Sequence, residues 1–449
     1  MEAIDSALTN VTKGLSLGVR YAIKAVSVCS TSSTVLAVEE DGTPLTDAIM
    51  WMDTRAVDQM KRINDTKHPI LKYAGGEDSV EWMIPKTLWI RDNMPEVYEQ
   101  SYKVIEQLDW VNHWLSGKYV TSLCQAACKW NYVSSEGGWS DKFFEAVGFP
   151  EYKDKLVTEV LHPGEIIGKI RPELAEKYDL NPEMLVVEGG IDAHIGMIGL
   201  GVARPGKLAM IMGTSFVQLA FSDKKIDLAG IWGPYDEPIL PGKWLLEGGQ
   251  ISAGSIVKWF MKEFGLKDQD SPYALMAEEI KDIPPGANGL VSLDFFQGNR
   301  TPYKDPSAKG VIYGLTLSHT RGDIYKSLLE SVALGTKNII DNFEKQGCPI
   351  ELVVGSGGVT KDKAWMQIIA DATGKPIVVT QDPSSGALGC AIVAATGIGA
   401  YPDMDTATRG MVKDAYIVEP NPALYEPYQK VFETYCELYE NLKGLMAAK

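Results

Sequence analysis

Asp192 follows directly on Gly189-Gly190-Ile191, where the apolar run Leu185 to Glu188 gives way to a turn. A carboxylate between the end of a strand and the start of a helix can face a ligand together with the backbone beside it. Near a helix N-terminus it stays ionised and can take a proton from a hydroxyl. The same residue also suits a plain cap for a small-residue helix starting at Ala193, and spacing alone leaves both roles open. His194, two residues on, is a candidate catalytic partner or a residue that orients substrate. With five histidines and no paired Ser or Cys elbow, a nucleophilic triad is not supported.

Two glycine-bearing turns offer a different chemistry. Gly213-Thr214-Ser215 lies between the strand-like runs Lys207 to Met212 and Phe216 to Phe221, and a hairpin tip of this kind presents N–H groups and hydroxyls without bulk, as a phosphate needs. Tight turns favour the same residues for conformational reasons alone. Gly355-Ser356-Gly357-Gly358 separates a strand, Leu352 to Val354, from an amphipathic helix, Lys361 to Thr373, and lets a nucleotide approach the backbone. It is not a dinucleotide fingerprint, since Thr360 stands at the last glycine position, and no P-loop run occurs. Asp53 and Arg55 close a predicted strand, Ala48 to Met52, where they can hydrogen-bond sugar hydroxyls or simply pair with each other. Cys124 and Cys128 share a predicted helix face without a His or second Cys pair, which reads as buried thiols and not a metal site.

The elements that position these residues fall into two α/β stretches. Glu2 to Leu15 has helical spacing and feeds strands at Ile23 to Val28 and Thr34 to Val38, with a turn at Glu40-Asp41-Gly42. Asp58 to Lys155 is mostly helical, and its Trp82, Trp89, Trp110, Trp114, Trp130 and Trp139 are expected to pack helices. Pro205-Gly206 reads as a boundary, and the strand Pro376 to Thr380 continues the second alternation. The pattern suggests a duplicated architecture with a cleft between its halves.

Bulk properties narrow the function class. A chain of 449 residues fits two domains of about 200 residues each. A formal charge of −16 argues against binding a nucleic-acid backbone. Six scattered cysteines suit a reducing compartment. Leu208 to Ser222, the best uncharged run, is short of the ~20 residues a membrane span needs, so a cytoplasmic enzyme acting on a small molecule is expected.

Gly310-Val311-Ile312-Tyr313-Gly314-Leu315, followed after seven residues by Asp323-Ile324-Tyr325-Lys326-Ser327-Leu328-Leu329-Glu330, resembles the C-terminal signature of the FGGY carbohydrate kinases, and the likeness runs over essentially the whole chain. A second signature, around Lys86-Thr87-Leu88-Trp89-Ile90-Arg91-Asp92-Asn93, is met in part: Thr87 stands for a large apolar residue and Met83 for a small one or proline. Trp51-Met52-Asp53-Thr54-Arg55-Ala56, Arg62-Ile63-Asn64-Asp65-Thr66-Lys67-His68, Cys128-Lys129-Trp130, Gly233-Pro234-Tyr235 and Gly298-Asn299-Arg300 are similar to the ribulokinase-type branch. Ser32-Ser33 stands where xylulose kinases have Met-His.

The resemblance implies an α/β, two-domain actin-like (ribonuclease-H-like) sugar kinase fold with a central cleft. Its halves would be a sugar-binding domain at 1–204 and a nucleotide-binding domain at 205–449. It implies ATP and Mg2+ as cosubstrate and cofactor, a ketopentose such as ribulose as acceptor, and Asp192 as the general base. Asp53, Arg55, Ser32 and His194 would meet the sugar. Gly213 and Thr214 would form a phosphate turn, Gly254 and Lys258 would border the nucleotide, and Gly358 and Asp362 would lie on the adenosine loop; Lys258 replaces the glutamine of glycerol kinases. No metal ligand is assigned. A homodimer is compatible with the resemblance, and neither nucleic acid nor membrane is an expected partner.

Members of this family open with a hairpin bearing an Asp-x-Gly-Thr turn, and nothing before Ile23 resembles it. The expectation is therefore a first domain lacking its initial strands, as a truncated sequence, a fragment or a true variant. Two alternatives to an active pentulose kinase follow: a noncatalytic sugar- or nucleotide-binding relic, and a related kinase for another polyol or sugar.

Overall fold

The computed structural model describes residues 2–227, 230–266 and 270–447. The chain forms two compact units. One comprises Met1–Ala203, Gly233–Leu245 and Ser384–Met411, the other Arg204–Trp232, Leu246–Pro383 and Val412–Lys449. The backbone thus leaves the first unit at Ala203 and later returns to it twice.

The first unit opens with helices Glu2–Lys13 and Leu17–Ala22 and carries a sheet in which Leu185–Ile191 lies between Ala25–Ser30 and Ile166–Lys169. Ala25–Ser30 and Leu185–Ile191 run parallel, with Ser30 opposite Ile191. The Gly189-Gly190 pair lies within this strand and does not form the turn that the sequence suggests. A Cβ at Gly189 would stand 1.9 Å from the Val28 carbonyl oxygen, and one at Gly190 would stand 2.8 Å from Cys124 Cβ. The glycines are there for close packing, and the strand continues to Ile191.

Helix Asp192–Gly199 then packs on helix Ser385–Gly397, which also lies against Ala25–Ser30. The two helices meet through small residues: a Cβ at Gly199 would fall 1.9 Å from the Ser385 carbonyl oxygen, and one at Gly389 would fall 2.0 Å from that of Ile195. This contact brings a segment from late in the sequence into the first unit.

Between 57 and 155 the unit is largely helical, around a core that contains Trp130, Phe143, Phe144, Phe149 and Tyr152. Ala48 to Met52 does not form the predicted strand; only Ile49 bridges Val35. The Met50 and Trp51 carbonyls turn instead to Lys86 Nζ, at 2.8 and 3.0 Å.

In the second unit Phe216–Ser222, Gly206–Met212, Ile350–Ser356, Ile377–Thr380 and Asp414–Val418 are adjacent in that order. The first two form the expected hairpin, with Met212 opposite Phe216. Gly206–Met212, Ile350–Ser356 and Ile377–Thr380 are parallel. Helix Arg321–Lys345 begins with a capping box in which Asp323 Oδ2 accepts from Thr320 N at 2.7 Å. Its Tyr325, Leu328 and Leu329 enter the core, so much of this signature segment acts to place a buried helix.

Candidate active site

In the first unit, parallel pairing sets the geometry. Because Ser30 is level with Ile191, Ser32 and Asp192 both lie just beyond the carboxyl ends of neighbouring parallel strands, where open α/β sheets hold their ligands. Asp192 is the first residue of its helix, and its Oδ1 accepts from the adjacent Ala193 N at 2.6 Å. No side-chain capping bond is made from the N-cap position, which Ile191 occupies. The carboxylate is open to solvent, while the surrounding protein partly desolvates it and raises its pKa above the ordinary 3.8. Both properties suit a group that must accept a proton from a bound hydroxyl.

His194 is buried, with Nε2 3.8 Å from Cys128 Sγ and its ring 6.4 Å from that of Tyr235. The Tyr235 hydroxyl lies 3.3 Å from Lys129 Nζ, and this ammonium also sits 4.9 Å from the Trp82 ring centre. Lys129 is buried, with its ammonium held among the Trp82 and Tyr235 rings. The sequence placed Lys129 inside a family-like stretch without giving it a role, because its aromatic neighbours come from distant segments.

Asp53 and Arg55 form a two-pronged ion pair, Nε to Oδ1 at 2.9 Å and Nη2 to Oδ2 at 2.7 Å, and Arg55 lies 4.8 Å from the centre of the Trp89 ring. The guanidinium bonds hold the Asp53 carboxyl below its ordinary pKa. Fully buried Lys86 fastens this region by donating to the carbonyls of Ser33, Met50 and Trp51, and burial pushes its own pKa down to about 8.

In the second unit, a cavity of about 810 Å³ is lined by all six residues expected at the nucleotide: Gly213, Thr214, Gly254, Lys258, Gly358 and Asp362. Gly254 N approaches the Gly213 carbonyl at 3.2 Å, and Ser255 N that of Thr214 at 3.1 Å, so the helix Gly254–Glu263 starts against the turn. Gly357 has φ +104°, and a Cβ there would lie 2.2 Å from the Met212 carbonyl oxygen, so this loop must be glycine to pass the neighbouring strand. Asp362 Oδ1 accepts from Trp365 N at 3.0 Å and caps the helix Lys363–Thr373. Tyr273, Lys361 and Trp365 also line the cavity, and no sequence motif marked them.

Residues 1–199 match the FGGY family of carbohydrate kinases, N-terminal domain, and residues 208–398 match its C-terminal domain. The chain belongs to the FGGY carbohydrate kinases. It is 33% identical to a human FGGY carbohydrate kinase domain-containing protein, across 92% of this chain and 81% of the relative. It is 32% identical to a ribulokinase from Halalkalibacterium halodurans, across 92% of this chain and 79% of that one. A xylulose kinase structure from Rhodospirillum rubrum superposes with a TM-score of 0.83 at 25% identity, covering 94% of this chain and 85% of that protein. A gluconate kinase from Lactobacillus acidophilus shares the fold, with a TM-score of 0.87 at 22% identity over 100% of this chain and 88% of that one.

As an FGGY kinase the chain is a sugar phosphotransferase with a two-domain α/β fold. Among the described residues no helix is long and apolar enough to cross a membrane, and no group of three or more His, Cys, Asp or Glu side chains is placed to hold a metal ion. The FGGY kinase family implies the use of ATP, and the glycine-lined cavity is large enough for a nucleotide.

Proposed function

We propose that this FGGY kinase transfers the γ-phosphoryl group of ATP to the terminal hydroxyl of a ketopentose, with ribulose as the favoured acceptor. The observation that carries the reading is the Asp192 carboxylate, solvent-open, raised in pKa and lying with Ser32 just beyond the ends of two parallel strands. Asp192 takes the hydroxyl proton as the oxygen attacks phosphorus, a contribution of typically about 10²–10⁴-fold. Ser32, Asp53, Arg55 and His194 are assigned to the sugar, in the N-terminal half 1–204. Gly213, Thr214, Gly254, Lys258, Gly358 and Asp362 are assigned to the nucleotide, in the C-terminal half 205–449. Backbone N–H groups of Thr214 and Ser215 at the tip of the turn would counter phosphate charge. Mg2+ would arrive held mainly by the phosphates of the nucleotide, as is usual for this ion.

Ribulose is favoured by the similarity to ribulokinases and by Ser32-Ser33 in place of Met-His. Coupled ADP release with D-ribulose, L-ribulose, D-xylulose and glycerol tests the proposal. Turnover is expected on a ribulose enantiomer, with lower kcat/KM on xylulose. Tight ATP and sugar binding without any turnover would defeat the assignment of Asp192 as a working base.

A further inference from the structure

Glu106 lies outside every residue assigned above, yet it stands at the junction of the sugar-side elements. It ends the strand Lys103–Glu106, which pairs antiparallel with Val35–Val38 and sets Glu106 opposite Val35. This register, together with the Gln107 N to Thr34 carbonyl bond of 2.9 Å, fixes the carboxylate beside the Ser32–Thr34 loop. Glu106 is fully buried. Its Oε1 accepts from Trp130 Nε1 at 2.6 Å and from Ser32 Oγ at 3.3 Å, and its Oε2 accepts from Gln125 Nε2 at 2.7 Å. The Asp109 backbone N–H supplies a fourth donor through a capping box.

A buried carboxylate carries a large desolvation cost unless donors surround it, and here they come from three separate segments. Ser32 belongs to the candidate sugar loop. Gln125 lies in the helix Leu123–Lys129, and Trp130 follows it, so the last two donors hold the helix end that carries Lys129. On the reading that this region binds sugar, we infer that Glu106 is a positioning residue that sets the spacing between Ser32 and Lys129, and through it the affinity for the pentulose. Both carboxyl oxygens serve as acceptors at this point. A glutamine keeps one oxygen and brings one NH2, which meets either the Trp130 and Ser32 donors on one side or the Gln125 Nε2 donor on the other, so at least one of these side chains has to turn.

The test compares wild type, E106Q, S32A and the double variant in steady-state assays, varying pentulose and ATP separately. E106Q is expected to raise the pentulose KM by about threefold or more, as disturbing a buried hydrogen bond would, with the ATP KM within twofold of wild type. The double variant is expected to be no worse than the poorer single one, because both break the same link. A folded E106Q with unchanged pentulose KM, or with pentulose and ATP KM rising together, overturns the inference. Should E106Q fail to fold, W130F keeps the aromatic ring and removes one donor; a pentulose KM raised at least about threefold at unchanged ATP KM supports the role, and an unchanged value overturns it. Wild type inactive on every ketose tested would refute the proposed function itself, whereas active wild type with indifferent variants refutes only the role of Glu106.

Discussion

Replacing Gly254 by alanine perturbs the nucleotide cavity by a distance that can be worked out from the backbone. The Gly254 Cα faces the Gly213 carbonyl so closely that an added Cβ would stand 2.4 Å from its oxygen and 3.6 Å from Thr214 Cα. A carbon and a carbonyl oxygen rest at about 3.3 Å or more, so the helix start and the phosphate turn would have to part by roughly 0.9 Å. That movement stretches the Gly254 N to Gly213 O bond, now 3.2 Å, and shifts the Thr214 and Ser215 N–H groups proposed for phosphate. Functional groups tolerate only about 0.5 Å of misplacement, and an error of about 1 Å can cost 10²-fold. G254A should therefore lower kcat/KM for ATP by about 10- to 100-fold and leave the pentulose KM unchanged. The overpacking itself should cost about 1–3 kcal/mol of stability. Initial rates at saturating pentulose with varied ATP, and binding of a fluorescent nucleotide without sugar, measure the effect. An ATP KM within twofold of wild type in folded G254A would refute the link between this close approach and nucleotide binding.

D192N should retain nucleotide binding and lose about 10²–10⁴-fold in kcat; kcat near wild type would reduce Asp192 to a helix-start residue. Since the base acts only when ionised and its pKa is raised, wild-type kcat/KM should fall with decreasing pH along a limb centred above 3.8, and a profile flat down to that value would count against the role. Glu188, fully buried with Asn112 Nδ2 at 2.9 Å, has its pKa pushed from 4.5 up to about 8. The folded state keeps a proton that the unfolded chain releases, so stability is lost as pH rises through that window. E188Q should gain on wild type by roughly 3 kcal/mol at pH 7 and by little at pH 4; urea midpoints that differ equally at both values would contradict this. K86M removes an ammonium shared by three carbonyls and should lower stability by about 2 kcal/mol or more. It should also raise the pentulose KM, and kinetics unaltered in the folded variant would separate Lys86 from the sugar loop.

What the sequence makes legible follows from where each signal resides. The hairpin around Gly213 and the strand at Leu352 to Val354 are local patterns, short apolar runs with glycine at their ends; the hairpin forms where expected, whereas the strand runs on through Gly355 and Ser356, which the sequence assigns to the loop. The Gly189-Gly190 pair misleads because a glycine demanded by a carbonyl 1.9 Å away reads the same as one demanded by a turn. The missing strand at Ala48 to Met52 is a similar case: its apolar residues fit a strand, but the Met50 and Trp51 carbonyls are claimed by Lys86, thirty-five residues or more away in sequence. Lys129 and Glu106 owe their environments to Tyr235, Trp82, Trp130 and Ser32, contacts that span up to 106 positions and leave no periodic trace.

Four of the assigned residues, two in each unit, nevertheless obey one rule of topology. Ser32 and Asp192 stand beyond the carboxyl ends of one parallel pair, and Gly213 and Gly358 stand beyond those of another, formed by Gly206–Met212 and Ile350–Ser356. Parallel strands deliver successive connections to the same edge, and side chains from distant segments therefore gather there without any local motif to announce them. That is why single residues such as Asp192 were readable as strand-end candidates, whereas the buried groups behind them, which fix the spacing of the edge, emerge only once the strands are paired.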